Sequence, residues 1–458
     1  MSEQNLAISP IDGRYHDLTK ELSPYFSTLA LAKYRILVEG KWLIFLLQEK
    51  LLPLSLEQEP AINFINKIVA DFDEKELERV LRLEAITKHD VKAIEYYWRE
   101  KLSEGAQEKL IPFIHFGCTS EDINNIAYSL MVKEAEKNCW LPRATAMIEK
   151  LRSLAQAYRT TLMLGRTHGQ PATPTTMGKE LAVFAKRLKN ILAEITAIKL
   201  TAKFAGATGT YAAFKVAVPE QDWQQLSKKF VTSFDLEFNS LVTQIEPHDR
   251  LCSLLQKLQS FNSVIYNLNN DFWLYISNNY FSLKTESEEI GSSVMPHKIN
   301  PINFENSMAN VSLANGIWGV LIDHLPISYW QRDLRDSSLL RNIGVGFAHT
   351  LIALKQTTFG LEKVVLNEKA LVEDLERHPE VLAEAIQTVL RFHGQIDAYE
   401  QLKEVTKGKI VTLNDLRGFV RTLNLDEKVK ERLLELTPVS YFGLAADLVN
   451  SCLDNKQD

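Results

Sequence analysis

Apolar residues recur at alternating intervals of four and three residues through the segment 177–198. The series consists of Met177, Leu181, Phe184, Leu188, Ile191, Ile195 and Ile198. This spacing keeps the apolar side chains on one stripe of an α-helix, as at the a and d positions of a coiled coil. Because such a stripe must be buried against other helices, the segment predicts a helical bundle, formed within one chain or between chains.

Two further segments have the same helical character. Residues 248–290 contain neither Gly nor Pro, and apolar residues recur along them at helical spacing. Another helix should begin near Glu121, where Thr119 and Ser120 can cap it, and Pro142 should kink or interrupt it. Strand signals are few. We therefore predict an all-α fold with a long central helical bundle, whose regular stripes also suit association between chains.

Glycine and proline positions divide the chain into three helical domains. Residues 1–114 contain shorter helical pieces that we expect to be broken at Pro53, Pro60 and Gly105. Residues 115–364 form the central long-helix domain, and residues 365–458 form a C-terminal domain of short helices. This division predicts a bundle with a smaller helical domain at each end.

Composition and charge exclude several classes of function. The formal net charge of −6 gives the whole chain no basic attraction to nucleic acid. The four cysteines show no CxxC spacing, so neither a zinc ribbon nor a dithiol redox site is indicated. No signal peptide is recognisable, and no apolar run approaches the roughly 20 residues of a membrane helix. We expect a cytoplasmic enzyme that binds neither membrane nor nucleic acid.

Polar segments interrupt the helical pattern and are the places where chemistry is expected. They are DGRY (12–15), TKHD (87–90), GCTSED (117–122), GRTHGQPATP (165–174), TQIEPHD (243–249), GSSVMPHKINP (291–301) and WQRDLRDSSLLRN (330–342). No HExxH motif, P-loop, dinucleotide fingerprint or GxSxG elbow occurs among them. Histidine, serine, lysine and arginine in such segments favour a site for an anionic small molecule.

Each segment also has an ordinary structural interpretation. His168 can be an acid or base near neutral pH, or a histidine that only bonds its neighbours in a proline-restricted loop. His89 and Asp90 can be an imidazole with an orienting carboxylate, or a surface pair. The GCTSED segment can bind an anion at a helix start, or act as a plain N-cap. The arginines of 330–342 can bind phosphate, or form a solvated helix face.

The segment GSSVMPHKINP resembles the signature loop GSSxMPxKxNP of the fumarase/aspartase superfamily. Other segments are similar to the branch of that superfamily that acts on succinylated purine nucleotides. They are SPIDGRY, HDVKAIEY, FIHFGCTSEDINN, RTHGQPATP, TQIEPHD, WQRDLRDSSLLRN and PEVLAEAIQTVLR. They follow the family's order from residue 9 to residue 391, so the resemblance covers most of the chain.

The resemblance implies an all-helical homotetramer whose active sites are shared between subunits. It implies a β-elimination that releases fumarate from adenylosuccinate, giving AMP, and from succinylaminoimidazole carboxamide ribotide in purine biosynthesis. No metal or organic cofactor is expected, and the expected ligands are small nucleotide substrates. Another fumarate-releasing lyase of the superfamily, such as argininosuccinate lyase, is the alternative.

The same resemblance suggests the roles of individual residues. Ser292 matches the general base, and His168 matches the general acid for the leaving nitrogen. The substrate-binding positions are Arg14, Tyr15, His89, Asp90, Thr119, Ser120, Gln244, Ser293, Lys298, Asn300, Asn306, Arg332, Ser337 and Arg341. Within that set, Arg14, Tyr15, Arg332, Ser337 and Arg341 match the phosphate site, and Thr119, Ser120, Ser293, Lys298 and Asn300 match the contacts to the succinyl carboxylates.

A few positions carry no role by this resemblance. Lys88 and His297 lie where related sequences vary, and Arg335 lies where no arginine is required. Thr210 and Phe214 replace an Asn and a His of the related pattern GxxGNYxxH, so any function of those two side chains is absent from this chain.

Overall fold

The computed structural model describes residues 6–54, 57–284, 295, 297–408 and 410–453. By their internal contacts these residues group into two compact units. Unit 1 comprises the chain up to residue 144 together with 191–263 and 309–355, and unit 2 comprises 145–190, 264–308 and the chain from 356 onward. The predicted division into three domains at residues 114 and 364 stays a prediction.

Helices account for most of the described residues. In chain order they are α1 (His16–Thr19), α2 (Ser23–Phe26), α3 (Thr28–Gln48), α4 (Gln58–Ala70), α5 (Glu74–Thr87), α6 (Asp90–Glu104), α7 (Ser120–Ala135), α8 (Leu141–Ala157), α9 (Met177–Thr196), α10 (Ala212–Ala217), α11 (Trp223–Thr232), α12 (Asp249–Ser277), α13 (Ile302–His324), α14 (Arg335–Leu340), α15 (Ile343–Lys363), α16 (Glu368–Glu376), α17 (Leu382–Phe392), α18 (Ala398–Thr406), α19 (Leu413–Thr422), α20 (Glu427–Glu435) and α21 (Ala445–Leu453). The predicted all-α fold is confirmed. No helix in this part of the chain combines the length and hydropathy that a bilayer span requires.

Among the described residues, short strands form three two-stranded ribbons. The strands are β1 (Leu162–Thr167), β2 (Gln170–Thr176), β3 (Thr201–Ala202), β4 (Glu237–Phe238), β5 (Phe281–Leu283) and β6 (Val364–Leu366). β1 pairs antiparallel with β2, β3 pairs parallel with β4, and β5 pairs antiparallel with β6. These ribbons connect helices and add no layer to the fold.

The heptad-like segment forms the predicted helix. α9 begins at Met177, and Met177, Leu181, Phe184, Leu188 and Ile195 are buried. The stripe read from the sequence therefore faces a core, as its spacing requires.

The run 248–290 forms a shorter helix than its composition suggests. α12 ends at Ser277, and Asn279 then takes a left-handed conformation with φ of 58°. Asparagine tolerates this conformation at little cost, so it ends a helix without a glycine. The expectation of a continuous helix was wrong for residues 278–284, and residues 285–290 lie outside the described residues.

Proline affects two helices differently. Pro142 follows a π-helical turn, Glu136–Trp140, that separates α7 from α8, which confirms the predicted interruption. Pro60 lies in the first turn of α4, so the expected break there was wrong. The N–H groups of a helix's first turn have no intrahelical acceptor, and a proline there removes no hydrogen bond.

The segment around His168 is a hairpin and not the proline-restricted loop that we expected. β1 and β2 are joined by His168 and Gly169, whose φ values are 53° and 74°. Two consecutive residues with positive φ are typical of the tight turns that join twisted antiparallel strands. Pro171 is tolerated because a two-stranded ribbon leaves one edge of each strand unpaired.

The hairpin is anchored at its base in unit 2. Leu164 is buried with Leu375 and Val381, and Arg166 forms an ion pair of 2.7 Å with Asp374. His168, at the tip, is exposed. The tip is therefore held at a fixed position while its imidazole faces away from the unit's core.

An aromatic cluster in unit 1 contains one of the two residues that depart from the related pattern. Phe214 is fully buried, and its ring centroid lies 4.6 Å from that of Trp223. A Cβ placed on Gly117 would approach this ring to 2.2 Å. Phe214 thus packs against the backbone just before α7. Any larger residue at position 117 would clash with the Phe214 ring.

A buried ion pair fixes the beginning of α7. Lys203 Nζ lies 2.9 Å from Asp122 Oδ1, and neither side chain has any solvent exposure. The Asp122 carboxylate also accepts hydrogen bonds from the backbone N–H groups of Thr119, Ala205 and Gly206. One carboxylate therefore joins the N-terminus of α7 to the segment 203–206.

We predict that Lys203→Met will lower the free energy of unfolding by about 3–5 kcal/mol, because it leaves the buried Asp122 carboxylate without its counter-charge. Lys199→Met removes an exposed lysine of the same region and should change it by less than about 0.5 kcal/mol. Urea denaturation at one fixed protein concentration measures the free energy of unfolding of both variants. Equal losses for the two variants would contradict the importance of the buried pair.

Candidate active site

Unit 1 contains a cavity of about 780 Å³ that we name the arginine pocket. Predicted site residues from four distant segments line it: His89, Asp90, Thr119, Ser120, Gln244, Arg332, Ser337 and Arg341. Exposed Trp330 and the variable Lys88 also contribute to its lining. Convergence of residues from separate segments on one cavity is typical of a binding site.

The remaining predicted site residues lie elsewhere. Arg14 and Tyr15 belong to unit 1 but do not line the arginine pocket. Exposed His168 and Lys298 and half-buried Asn300 and Asn306 belong to unit 2. Ser292 and Ser293 lie outside the described residues. Their predicted roles stay predictions.

Arg341 is oriented by a carboxylate that a second arginine holds. Asp90 Oδ2 accepts hydrogen bonds from Arg341 Nη2 at 3.0 Å and from Arg35 Nη2 at 2.7 Å. Arg35 is buried, and its Nε donates to Asn124 Oδ1 at 2.8 Å. Burial would raise the pKa of Asp90, but Arg35, the Val91 backbone N–H and Arg341 lower it below its usual value. Asp90 is therefore an ionised support for Arg341.

Arg35 and Asn124 were missed from the sequence. Arg35 lies in the largely apolar helix α3, and its partners are 55 and 89 residues away in the chain. The only available signal was a charged residue among many buried apolar ones. A charge at such a position requires a partner, but the sequence does not say which one.

The orientation of His89 comes from the backbone. His89 caps α6, where its Nδ1 accepts a hydrogen bond of 3.1 Å from the N–H of Lys92. The closest approach of that nitrogen to Asp90 is 3.8 Å, which is too long for a hydrogen bond. The interpretation of Asp90 as the orienting carboxylate was therefore wrong. An accepting Nδ1 places the proton of the neutral ring on Nε2, which is the other nitrogen.

The N-terminus of α7 presents hydroxyl groups to the pocket. Thr119 is the N-cap residue, and Ser120 is the first residue of the helix. The first backbone N–H groups of a helix point along its axis with the positive end of the dipole, and hydroxyls beside them add donors. This end of the arginine pocket is suited to a carboxylate or a phosphate.

Arg332 and Gln244 are held together on another wall. Arg332 Nη1 donates to Gln244 Oε1 at 3.3 Å, and Gln244 Nε2 donates to the carbonyl of Ala207 at 2.8 Å. Arg335, by contrast, pairs with Asp333 at 2.9 Å and lies over the ring of Tyr329. The guanidinium of Arg335 is thus bound to Asp333. This agrees with the sequence analysis, which assigned Arg335 no substrate contact.

One group of side chains has the donor spacing of a metal site. Within the described part of the chain, only Glu121, His248 and Asp336 bring three such donor atoms within 4.8 Å of one another. Arg332 Nη2 lies 3.5 Å from Glu121 and 3.4 Å from Asp336. Since the guanidinium already supplies the positive charge, these residues are not suited to hold a cation as well.

A half-buried histidine supports the loop that leads to Thr119. His115 has a positive φ of 57°, and its Nδ1 hydrogen-bonds Glu39 Oε1. Glu95 Oε1 lies 4.0 Å from its Nε2. Burial would lower the pKa of His115, but the two carboxylates outweigh it and raise the pKa above the usual 6.5. A charged His115 is therefore stabilised between two acids.

Comparison with known proteins identifies related chains. The sequence matches the family model described as Lyase over residues 13–314 and the model described as Adenylosuccinate lyase C-terminal over residues 328–442. It is 46% identical to the adenylosuccinate lyase of Legionella pneumophila (strain Corby) over 447 residues, which cover 97% of this chain and 98% of the relative. It is 43% identical to the adenylosuccinate lyase of Escherichia coli (strain K12) over 450 residues, with coverage of 97% and 98%.

Solved structures show the same fold. A fumarate lyase from Mesorhizobium sp. BNC1 superposes with a TM-score of 0.77 at 20% identity, covering 95% of this chain and 98% of that one. The helical fold and the match to the family model together identify the chain as a lyase of the fumarase/aspartase superfamily. Because the alignments to these adenylosuccinate lyases cover nearly the whole chain, the chain belongs to the adenylosuccinate lyase family. The resemblance read from the sequence is confirmed.

We predict that His115→Gln will destabilise the protein more in mild acid than in mild alkali. The raised pKa means that protonated His115 stabilises the fold fully below about pH 6.5, and that this contribution disappears as the pH rises through the folded-state pKa. A buried charged hydrogen bond is worth about 1.5–3 kcal/mol, which is the expected loss near pH 6. Urea denaturation at about pH 6 and about pH 9 measures it.

Exposed His393 provides the control for this prediction. His393→Gln should change the free energy of unfolding little at either pH. If the effect of His115→Gln were independent of pH, His115 would not be charged in the folded protein.

Proposed function

We propose that this chain cleaves adenylosuccinate to AMP and fumarate, and succinylaminoimidazole carboxamide ribotide to its carboxamide ribotide and fumarate. The observation that carries the proposal is the arginine pocket, which brings Arg332 and Arg341 together with hydroxyl-bearing residues in a chain of the adenylosuccinate lyase family. Such a pocket suits a substrate with a phosphate at one end and two carboxylates at the other.

The phosphate end of the substrate is assigned to Arg332, Ser337 and Arg341. Arginine forks recognise phosphate oxygens through paired hydrogen bonds. Arg341 is supported by Asp90 at 3.0 Å, and Arg332 donates to Gln244 at 3.3 Å, so both guanidinium groups are oriented before substrate arrives. Preorganised donors bind an anion without the cost of ordering them.

The succinyl end is assigned to Thr119 and Ser120 at the start of α7, with Ser293, Lys298 and Asn300 supplied by the signature segment. Removal of a proton next to a carboxylate places negative charge on that carboxylate in the transition state. The helix N-terminus and the lysine would stabilise this charge. Donors that interact more strongly with the transition state than with the substrate accelerate the reaction.

The elimination needs one base and one acid. A base removes the C–H proton, the C–N bond breaks, its electron pair moves to the leaving nitrogen, and an acid protonates that nitrogen. We assign Ser292 as the base and His168 as the acid. The exposed position of His168 at a hairpin tip supports a role in a site beyond its own unit's core. His89, with its proton on Nε2, would donate a hydrogen bond to the substrate.

A homotetramer with shared active sites belongs to the same proposal, as does a cytoplasmic location. Tyr266, Trp273 and Leu274 are exposed on α12, and residues seven positions apart lie on one face of a helix. Exposed large apolar side chains grouped on one face favour association with another chain. A second copy of this chain is the partner that fits the family.

The proposal is tested by incubating the purified protein with adenylosuccinate and following its loss by ultraviolet absorbance. We expect fumarate and AMP in equal amounts, and no turnover of argininosuccinate. Turnover of argininosuccinate without turnover of adenylosuccinate would instead identify the alternative lyase and contradict the proposal.

We predict that Arg341→Ala will raise KM for adenylosuccinate about 10- to 100-fold, because a charged hydrogen bond is worth about 1.5–3 kcal/mol. Arg335→Ala removes an arginine of the same segment that is paired with Asp333, and should leave KM within about twofold. Steady-state kinetics on both variants measure the difference. An unchanged KM for Arg341→Ala would show that the phosphate binds elsewhere.

We predict that His168→Ala and Ser292→Ala will each abolish turnover, and that subunits of the two variants will restore it when mixed. In a shared site, equal mixing creates sites in which neither defect is present, up to about a quarter of all sites. Joint refolding followed by the absorbance assay measures the recovery. Absence of recovery, with tetramers formed, would show that both residues come from one subunit.

A further inference from the structure

A cluster of three buried polar side chains lies behind Arg332 in unit 1. Glu121, His248 and Asp336 are 1%, 4% and 7% exposed, and their donor atoms lie within 4.8 Å of one another. We name these three residues the acid–imidazole cluster. No step of the elimination uses them, and none was singled out as a site residue from the sequence.

Each member of the cluster is close in sequence to a residue of the arginine pocket. Glu121 directly follows Ser120, Asp336 directly precedes Ser337, and His248 lies four residues after Gln244. The cluster therefore joins the three chain segments that carry the assigned contacts to both ends of the substrate. The charge of the cluster can therefore affect ligand binding in the arginine pocket through the nearby residues Ser120, Ser337 and Gln244.

Hydrogen bonding within the cluster is incomplete. Among the described residues, Glu121 Oε1 and His248 Nε2 are buried and have no hydrogen-bond partner. An ionised carboxylate and an unprotonated imidazole nitrogen are both acceptors, so leaving both bare at this depth is costly. A proton on Glu121 removes one of the two unsatisfied acceptors and one buried charge.

Arg332 depends on the charge of this cluster. Its Nη2 lies 3.5 Å from Glu121 and 3.4 Å from Asp336, and its Nε has no partner among the described residues. Charge-assisted hydrogen bonds are usually 2.7–2.9 Å long, so neither acid holds the guanidinium tightly. The guanidinium can therefore be shared between the acids behind it and an anion in front of it.

We propose that Glu121, His248 and Asp336 form a positioning unit that holds one exchangeable proton behind Arg332 and so sets how strongly Arg332 binds the substrate phosphate. This inference rests on the proposed function, since it assigns the phosphate to Arg332. With the proton present, the three residues and Arg332 carry no net charge. With the proton lost, a second negative charge competes with the phosphate for the guanidinium.

The surroundings of Glu121 favour the protonated acid at neutral pH. Burial raises the pKa of Glu121 to about 8. Arg332 and Lys203 oppose this rise, and Asp336 and Asp122 add to it. Glu121 therefore loses its proton only in mildly alkaline solution.

The surroundings of His248 favour the neutral ring. Burial lowers the pKa of His248, and the charge of Arg332 acts in the same direction. Glu246, Asp336 and Asp249 oppose this effect without reversing it. The exchangeable proton thus resides on Glu121.

The sign of the pH effect follows from the charges. A phosphate anion near the cluster stabilises the protonated acid, so substrate binding and proton binding favour each other. Above the pKa of Glu121, the ionised carboxylate draws Arg332 away from the phosphate and KM rises. kcat is not expected to follow the same profile, because the phosphate contact does not change between substrate and transition state.

Glu121→Gln tests this inference because glutamine has nearly the shape of a protonated glutamate and cannot ionise. For the wild type we expect KM for adenylosuccinate to rise about tenfold from about pH 7 to about pH 9.5. When binding is linked to one proton, KM changes by at most about tenfold for each pH unit above the pKa. For Glu121→Gln we expect a KM near the neutral wild-type value over that whole range. A KM that rises equally in Glu121→Gln, or that is high at every pH, would overturn the inference.

Glu136 provides a matched control and a second measurement. Burial raises the pKa of Glu136 to about 7, and it does not line the arginine pocket. Glu136→Gln should therefore keep the wild-type rise of KM. In this variant, infrared difference spectra should show a protonated-carboxyl band lost between about pH 7 and about pH 9.5, and the band should vanish when Glu121→Gln is added.

The infrared measurement separates two kinds of failure. It needs no substrate, so a protein that does not cleave adenylosuccinate but shows the band would contradict the proposed function and not the proton on the cluster. Absence of the band from Glu136→Gln protein would overturn the inference even if Glu121→Gln failed to fold.

Discussion

The site depends first on the buried carboxylate of Asp122. It neutralises Lys203 at 2.9 Å and accepts hydrogen bonds from the backbone of Thr119, Ala205 and Gly206. A buried ion pair costs desolvation energy, and it is tolerable only when the remaining lone pairs are satisfied, as they are here. The beginning of α7 is thereby fixed, and with it both the hydroxyls that face the arginine pocket and the acid–imidazole cluster behind it.

A second layer of support gives the pocket its charge. Arg35 reaches Arg341 through Asp90, and Arg332 lies between Gln244 and two acids. Each cation therefore keeps donors for a ligand while an acid limits its freedom. In the proposed function, this arrangement binds the substrate phosphate with little reorganisation, because its donors are already oriented.

The spacing of the stripe at 177–198 has one physical meaning, and it predicted α9. The eight predicted residues that line the arginine pocket were found through the resemblance to a known family, since each motif alone also had an ordinary structural interpretation. Prediction from the sequence failed where structure depends on distant partners. The hairpin that carries His168 was hidden by prolines, which are tolerated on a two-stranded ribbon. The sequence did not predict the structural roles of Arg35 and Phe214, because their partners become apparent only in the folded chain.

The central claim is that the arginine pocket holds the nucleotide phosphate. A crystal structure of the protein with AMP bound tests it most directly. The account predicts phosphate oxygens within hydrogen-bonding distance of Arg332, Ser337 and Arg341, with Asp90 still bonded to Arg341. A phosphate bound away from all three residues, in a protein that still cleaves adenylosuccinate, would contradict it.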